Sequence, residues 1–271
     1  MEKAKLVISV NGRIDICIFK MTDATFAKSL AKDWQETLIW SYLQGCMGQA
    51  WASGSTVPES VQIQVADFCF FVGKPDIELV RNKPTDYESD FIILIPQTEE
   101  WNSLIEEVYG KCATKRLRYA IKKEPYVFNK ENLSHMVEEL SPEYTLTMIG
   151  EIQYNQIKEL PWACDLCSNF PIYEDYREHG LGVIALKNDE IVSGASSYSY
   201  YQGGIEIEID TREDYRRRGL ATACGAKLVL ECLKRGIYPS WDAQNLWSVS
   251  LAEKLGYHFD KEYTAYEIYP Y

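Results

Sequence analysis

The stretch "IEIEIDTREDYRRRGLATACGAKL", residues 205–228, decides how this chain is read. It opens with strict alternation. Ile205, Ile207 and Ile209 fall on one face of a strand, and Glu206, Glu208 and Asp210 on the other, because strand side chains alternate. Taken alone, the alternation describes a half-exposed strand with a solvated acidic face. The next residues change that. A short loop carries Arg216, Arg217 and Arg218 and ends in Gly219, which lets backbone come close to a ligand. A helical pattern begins immediately, and the first turn of a helix presents unpaired N–H groups and the positive end of its dipole. Cationic side chains, a glycine and a helix start in one place form a seat for phosphate oxygens.

The rest of the chain frames that site. At 271 residues it is long for one domain and comfortable for two. With 46% hydrophobic and 25% charged residues it is an ordinary globular chain. Its net charge of −12 argues against nucleic acid as a partner, and no apolar run is long enough to span a membrane. The N-terminus "MEKAKLVISVNGRIDICIFK" lacks the apolar core of a signal peptide. The eight cysteines sit in apolar or helical contexts, so a reduced, cytoplasmic protein is expected. Cys164 and Cys167 form a lone C-x-x-C without the second pair a zinc site needs. No metal is expected. His135, His179 and His258 are isolated. Oligomeric state is not legible.

Strands and helices mix in an α/β (mixed α+β) order. The first half opens with a helix-like stretch over residues 24–50, then strands at "DFCFFVGKP" and "DFIILIP", then a helix at "TEEWNSLIEEVYG". A boundary is expected near "LSPEY", dividing an N-terminal α/β domain, 1–140, from a second domain, 141–271. The second half reads as strands "EYTLTMIG", "GLGVIALK", "IVSGASSYSYY" and "GIEIEIDT", a helix from Gly219 to Arg235 stopped by Gly236, a short strand "YPSWDA", a helix "SVSLAEKLG" and a last strand "YTAYEIY".

Arg216-Arg217-Arg218-Gly219-Leu220-Ala221 resembles the Q/R-x-x-G-x-G/A signature of the GNAT superfamily of N-acetyltransferases. "NLWSVSLAEKLGY" looks like that family's second signature, an asparagine (Asn245) eleven residues before a Gly-aromatic pair, Gly256-Tyr257. The ensemble is similar to the branch that includes the zwittermicin A resistance acetyltransferases. The resemblance covers roughly residues 140–271 and extends more weakly into the first half through "GQAWASG" and "VADFCFFVGKP".

The resemblance implies a GNAT fold with a splayed mixed sheet and an acetyl-CoA-dependent transfer to a primary amine of a small molecule, in a ternary complex. The first half would be a smaller domain, a diverged copy of the same fold. Ile209, Asp210 and Thr211 would pair with the pantetheine arm, and the amides of Arg217 to Thr222 would hold the phosphates, assisted by arginine charge. Asn245 and Ser248 would reach coenzyme A from the other side. The amine must lose a proton to attack, and Glu206 and Glu208 are the candidate bases, Glu208 being nearer the splayed end. Burial would have to raise its pKa. One position departs from the family pattern. The tyrosine seven residues after the asparagine, which protonates the leaving thiolate, is here Ala252. A non-catalytic acyl-CoA sensor and a protein N-acetyltransferase are the alternatives.

Overall fold

The computed structural model describes residues 18–54 and 57–271; Cys17 and the N-terminal stretch read above lie outside them. In chain order the elements are β1 (Ile18–Lys20), α1 (Thr25–Leu30), α2 (Thr37–Leu43), β2 (Gln49–Ser53), β3 (Ser60–Val65), β4 (Phe68–Gly73), α3 (Ile77–Arg81), β5 (Ile92–Pro96), α4 (Glu99–Tyr109) and β6 (Ala113–Ile121). Then follow α5 (Lys130–Glu138), β7 (Thr145–Met148), α6 (Glu151–Lys158), α7 (Tyr173–His179), β8 (Gly182–Lys187), β9 (Glu190–Tyr201), β10 (Gly204–Thr211), α8 (Leu220–Arg235), β11 (Tyr238–Ser240), β12 (Asp242–Ala243), α9 (Leu246–Leu255) and β13 (Phe259–Ile268).

The described residues form two compact units, one within 18–117 together with 264–271, the other 118–263. The boundary expected near residue 140 falls inside the second unit. The reason is packing: Ile121 and Leu133 are buried in the same core as Leu228 and Val229, and Met136 and Leu140 pack on it. Segment 118–140 therefore completes the core under α8.

In the first unit β1 to β4 pair antiparallel in order, β4 and β5 pair parallel, and β13 runs antiparallel to β5. The residues read as one helix, 24–50, fold instead as α1, α2 and the start of β2. A turn through 32–36 separates the helices, and Glu36 begins α2 afresh by accepting a hydrogen bond from the Leu38 N–H at 3.3 Å.

The second unit repeats the same sequence of strand senses. β7 to β10 are antiparallel neighbours, and β10 and β11 pair parallel. Asn188 and Asp189 join β8 to β9 with φ of 50° and 64°, the left-handed pair that a two-residue hairpin demands and that Asn and Asp tolerate. α8 buries Ala223, Cys224, Ala226, Leu228, Val229 and Cys232. Gly225 permits its close approach: a Cβ there would lie 2.9 Å from Leu255 Cδ1 and 3.1 Å from Ile209 Cδ1. Gly236, at φ 71°, ends the helix in the left-handed conformation.

"YPSWDA" is not one strand. Tyr238, Pro239 and Ser240 pair with Gly204, Ile205 and Glu206 of β10. After the buried Trp241 the chain changes partner, and Asp242 and Ala243 pair antiparallel with Ala120 and Tyr119 of β6. β10 meanwhile runs on to Thr211 with β9 along one edge. Two neighbouring strands part at Glu206, and a gap opens beyond it.

Candidate active site

That gap is a cleft of about 300 Å³. One wall is β10, with Ile207, Glu208, Ile209, Asp210 and Thr211; the other is β12 and the start of α9, with Asp242, Gln244, Asn245, Trp247, Ser248 and Leu251. Arg118 of β6, Arg216 and Ala221 complete the lining, with Trp241 where the strands part. All of these belong to the second unit.

Three devices set this geometry. The first is a bulge in the β9–β10 pairing between Glu206 and Ile207, which bends the ladder where β11 leaves it. The second is the cap of α9. Asn245 Oδ1 accepts from the Ser248 N–H at 2.9 Å, and Ser248 Oγ accepts from Trp241 Nε1 at 3.0 Å. The third is the loop before α8. Arg217 lies at φ 62° and Gly219 at φ 82°, and an added Cβ on Gly219 would meet nothing within 4 Å. Glycine is needed there for its backbone angle rather than for room.

The three arginines point to different tasks. Arg216 lines the cleft, and its charge acts on Asp210. Arg218 turns away: it stacks on the Tyr215 ring at 4.7 Å and donates to the Asp214 carbonyl at 2.8 Å. Arg217 is exposed. Of the other residues singled out in the sequence, Glu208, Ile209, Asp210, Thr211, Ala221, Asn245 and Ser248 come together in the cleft. Gly219, Leu220 and Thr222 sit at the loop and helix start without lining it, and Leu220 is buried in the core.

The two glutamates are not equivalent. Glu206 is 5% exposed and lies on the paired side of the split. Its charge acts on Tyr201, Tyr238 and Tyr257, and it does not line the cleft. Glu208 does. Burial pushes its pKa up to about 8, helped by Asp210 and by Asp165 in the 3-10 turn Cys164–Leu166, and opposed by Arg118 and the Ile209 N–H. Burial, with Asp165, likewise lifts Asp210 to about 6. A carboxylate with a proton affinity near 8 can accept a proton from an amine at neutral pH far better than an ordinary one.

Ala252, the position of the missing tyrosine, is 0% exposed and packed in the core. Tyr257 is buried too and donates to the Pro239 carbonyl at 2.7 Å. None of the described cysteines lines the cleft, and those of the second unit are poor nucleophiles. Burial raises the Cys164 thiol, and it pushes Cys167 and Cys224 up to about 12.

The sequence reading passes over Arg118, Trp247 and Gln244. Trp247 is 87% exposed on the cleft rim, in the first turn of α9, and a tryptophan immediately before the predicted helix "SVSLAEKLG" is a signal that could have been used. Arg118 gives none, because it reads as one of several cations in a polar strand.

The family model described as GNAT acetyltransferase matches residues 28–266, and the chain belongs to that family. It is an N-acetyltransferase of a family that uses acetyl-CoA. A GCN5-related N-acetyltransferase-like protein from Streptococcus suis is 43% identical, with a TM-score of 0.84 over 90% of this chain and 97% of that one. An uncharacterised N-acetyltransferase of Bacillus subtilis, YdfB, is 26% identical over 85% of this chain and 89% of its own length. A tandem GNAT protein of the clavulanic acid biosynthesis pathway shares the fold at 10% identity, with a TM-score of 0.54 over 95% and 99% of the two chains. Among the described residues no cluster of side chains could hold a metal, and no helix is long and apolar enough to cross a membrane.

Proposed function

We propose that the chain moves an acetyl group from acetyl-CoA directly to a primary amine of a small cationic molecule, in the cleft where β10 and β11 part. The observation that carries this reading is that split, with Glu208 on one wall and the Arg216–Ala221 loop at its end. The edge of β10 beyond Glu206 offers backbone to the pantetheine arm, and the loop amides with Arg216 take the phosphates. Asn245 and Ser248 face them across the cleft.

Glu208 accepts the proton of the incoming ammonium, leaving a lone pair for attack on the thioester carbonyl. The C–N bond forms, the C–S bond breaks, and solvent protonates the coenzyme A thiolate. Ala252 supplies no acid, and a thiol is acidic enough to leave without one. Direct transfer rather than an acyl-enzyme is supported by the raised thiols of Cys164, Cys167 and Cys224. A cationic acceptor is supported by Glu208 and Asp210 in the cleft, with Asp165 close behind, by the −12 net charge, and by the likeness to the zwittermicin A resistance branch. That likeness points to an antibiotic or a polyamine-like cation. The first unit is a diverged copy of the same fold: its strand senses repeat those of the second.

The test is thiol release from acetyl-CoA against a panel of diamines, polyamines, aminated antibiotics and peptides, with coenzyme A binding measured by calorimetry. Release with small polycations supports the reading. Turnover confined to peptides, or tight coenzyme A binding with no amine consumed, overturns it.

A further inference from the structure

Three side chains on three adjacent strands meet at the back of the cleft. The strand order there is β13, β6, β12. Arg118 of β6 donates from Nε to Asp242 Oδ1 at 2.8 Å, and its Nη2 lies 2.7 Å from the same oxygen. Tyr263 of β13 donates from its hydroxyl to Asp242 Oδ2 at 2.8 Å. Both carboxylate oxygens are thus engaged. The side chains of Arg118 and Asp242 are 13% and 16% exposed, which sets this pair apart from the exposed ion pairs whose worth is small. Burial works against the guanidinium charge, and Asp242 and Tyr263 more than offset it, so the arginine holds its proton more firmly than usual. β12 is only two residues long. Its ladder with β6 alone is a weak hold on the strand that must stay apart from β10.

We infer that Arg118 is a positioning residue, tying β12 to β6 through Asp242 and so fixing the opening of the donor cleft while presenting its charge to Glu208. The inference rests on the proposed donor site and base. The groups facing Glu208 are Asp210 on its own strand, Asp165 from the 3-10 turn and Arg118 from β6, with the Ile209 N–H donating to Oε1 at 3.2 Å. Of these Arg118 is the cation, and Arg216, which also lines the cleft, acts on Asp210. Asp242 shares that cation, so the two members of the pair act on Glu208 in opposite senses. Removing Arg118 takes away the cation; removing the charge of Asp242 leaves the cation undivided.

Arg118→Gln, Arg118→Lys, Asp242→Asn and Tyr263→Phe separate this from a purely structural role. Arg118→Gln should move the acid limb of kcat/KM to higher pH by about one unit, a roughly tenfold loss on that limb. Asp242→Asn should move it to lower pH. Arg118→Lys should keep the limb near the wild-type position while coenzyme A affinity still drops, since an ammonium lacks the fork geometry. Amide hydrogen exchange over 241–245 should quicken in Arg118→Gln, Asp242→Asn and, less, Tyr263→Phe. Parallel shifts of the limb in Arg118→Gln and Asp242→Asn, or unchanged exchange over 241–245, would overturn the inference. If Arg118→Gln does not fold, Asp242→Asn and Tyr263→Phe carry the test by the same readouts. Absence of coenzyme A binding in the wild type would instead fault the donor-site reading, leaving the exchange result to judge the tie itself.

Discussion

Glu208→Gln probes the site from two sides. The carboxyl carries its proton up to about pH 8 in the folded chain, against an ordinary 4.5. Between those values the folded chain holds a proton that the unfolded chain has released. Stability therefore falls as pH rises through that window and levels off above it. At about 1.4 kcal/mol per pH unit the ceiling is about 5 kcal/mol. Burial is the larger cause and part of the rise comes from the neighbouring charges of Asp210 and Asp165; because Asp210 titrates together with Glu208, on the order of 2–3 kcal/mol is expected. Glutamine removes the titration. At about 2–4 °C per kcal/mol, the variant should melt near the wild type at pH 5 and about 5–10 °C above it at pH 9. Differential scanning fluorimetry without ligand reads this directly. The same change should lower turnover by about 10²–10⁴ and abolish a limb of kcat/KM that rises with pH toward an apparent pKa near 8, with coenzyme A affinity little altered. A melting difference constant from pH 5 to 9 would mean that Glu208 ionises normally. Turnover that keeps the same pH limb would mean that another group takes the proton.

Gly219→Ala strains a backbone at φ 82° without a clash and should weaken coenzyme A about tenfold in calorimetry, while Gly219→Asp adds a negative charge at the phosphate seat and should abolish binding. Asn245→Ala removes the cap of α9 and should cost about 1 kcal/mol, read as a lower melting temperature together with weaker coenzyme A binding. Ala252→Tyr, which restores the family's usual residue, should lower stability by about 1–3 kcal/mol and leave turnover no higher, because the position is packed in the core.

The sequence makes the second unit's order of elements legible, along with the strand, loop and helix around Gly219, because alternation, glycine placement and helical periodicity are local signals. It does not reveal where "YPSWDA" breaks. Nothing within six residues says that Asp242 will pair with Ala120, more than a hundred residues away. For the same reason it separates Glu206 from Glu208 only by their order along the strand, with Glu208 nearer the splayed end. They alternate onto one face in sequence, and only the end of the β11 ladder and the adjacent bulge put one among tyrosines and the other in the cleft. Three consecutive arginines look alike until Tyr215 and Asp214 claim Arg218. The domain edge near 140 follows a local Ser-Pro signal, while Ile121 and Leu133 belong to a core assembled from residues far along the chain.

The most direct test of the donor site is amide hydrogen exchange with and without coenzyme A. Protection should rise over 207–211 and 216–223 and stay unchanged over 73–80, where the first unit's turn from β4 to α3 carries Lys74 and Asp76 and no arginine run. Saturating coenzyme A that leaves 207–211 and 216–223 unprotected would contradict the account.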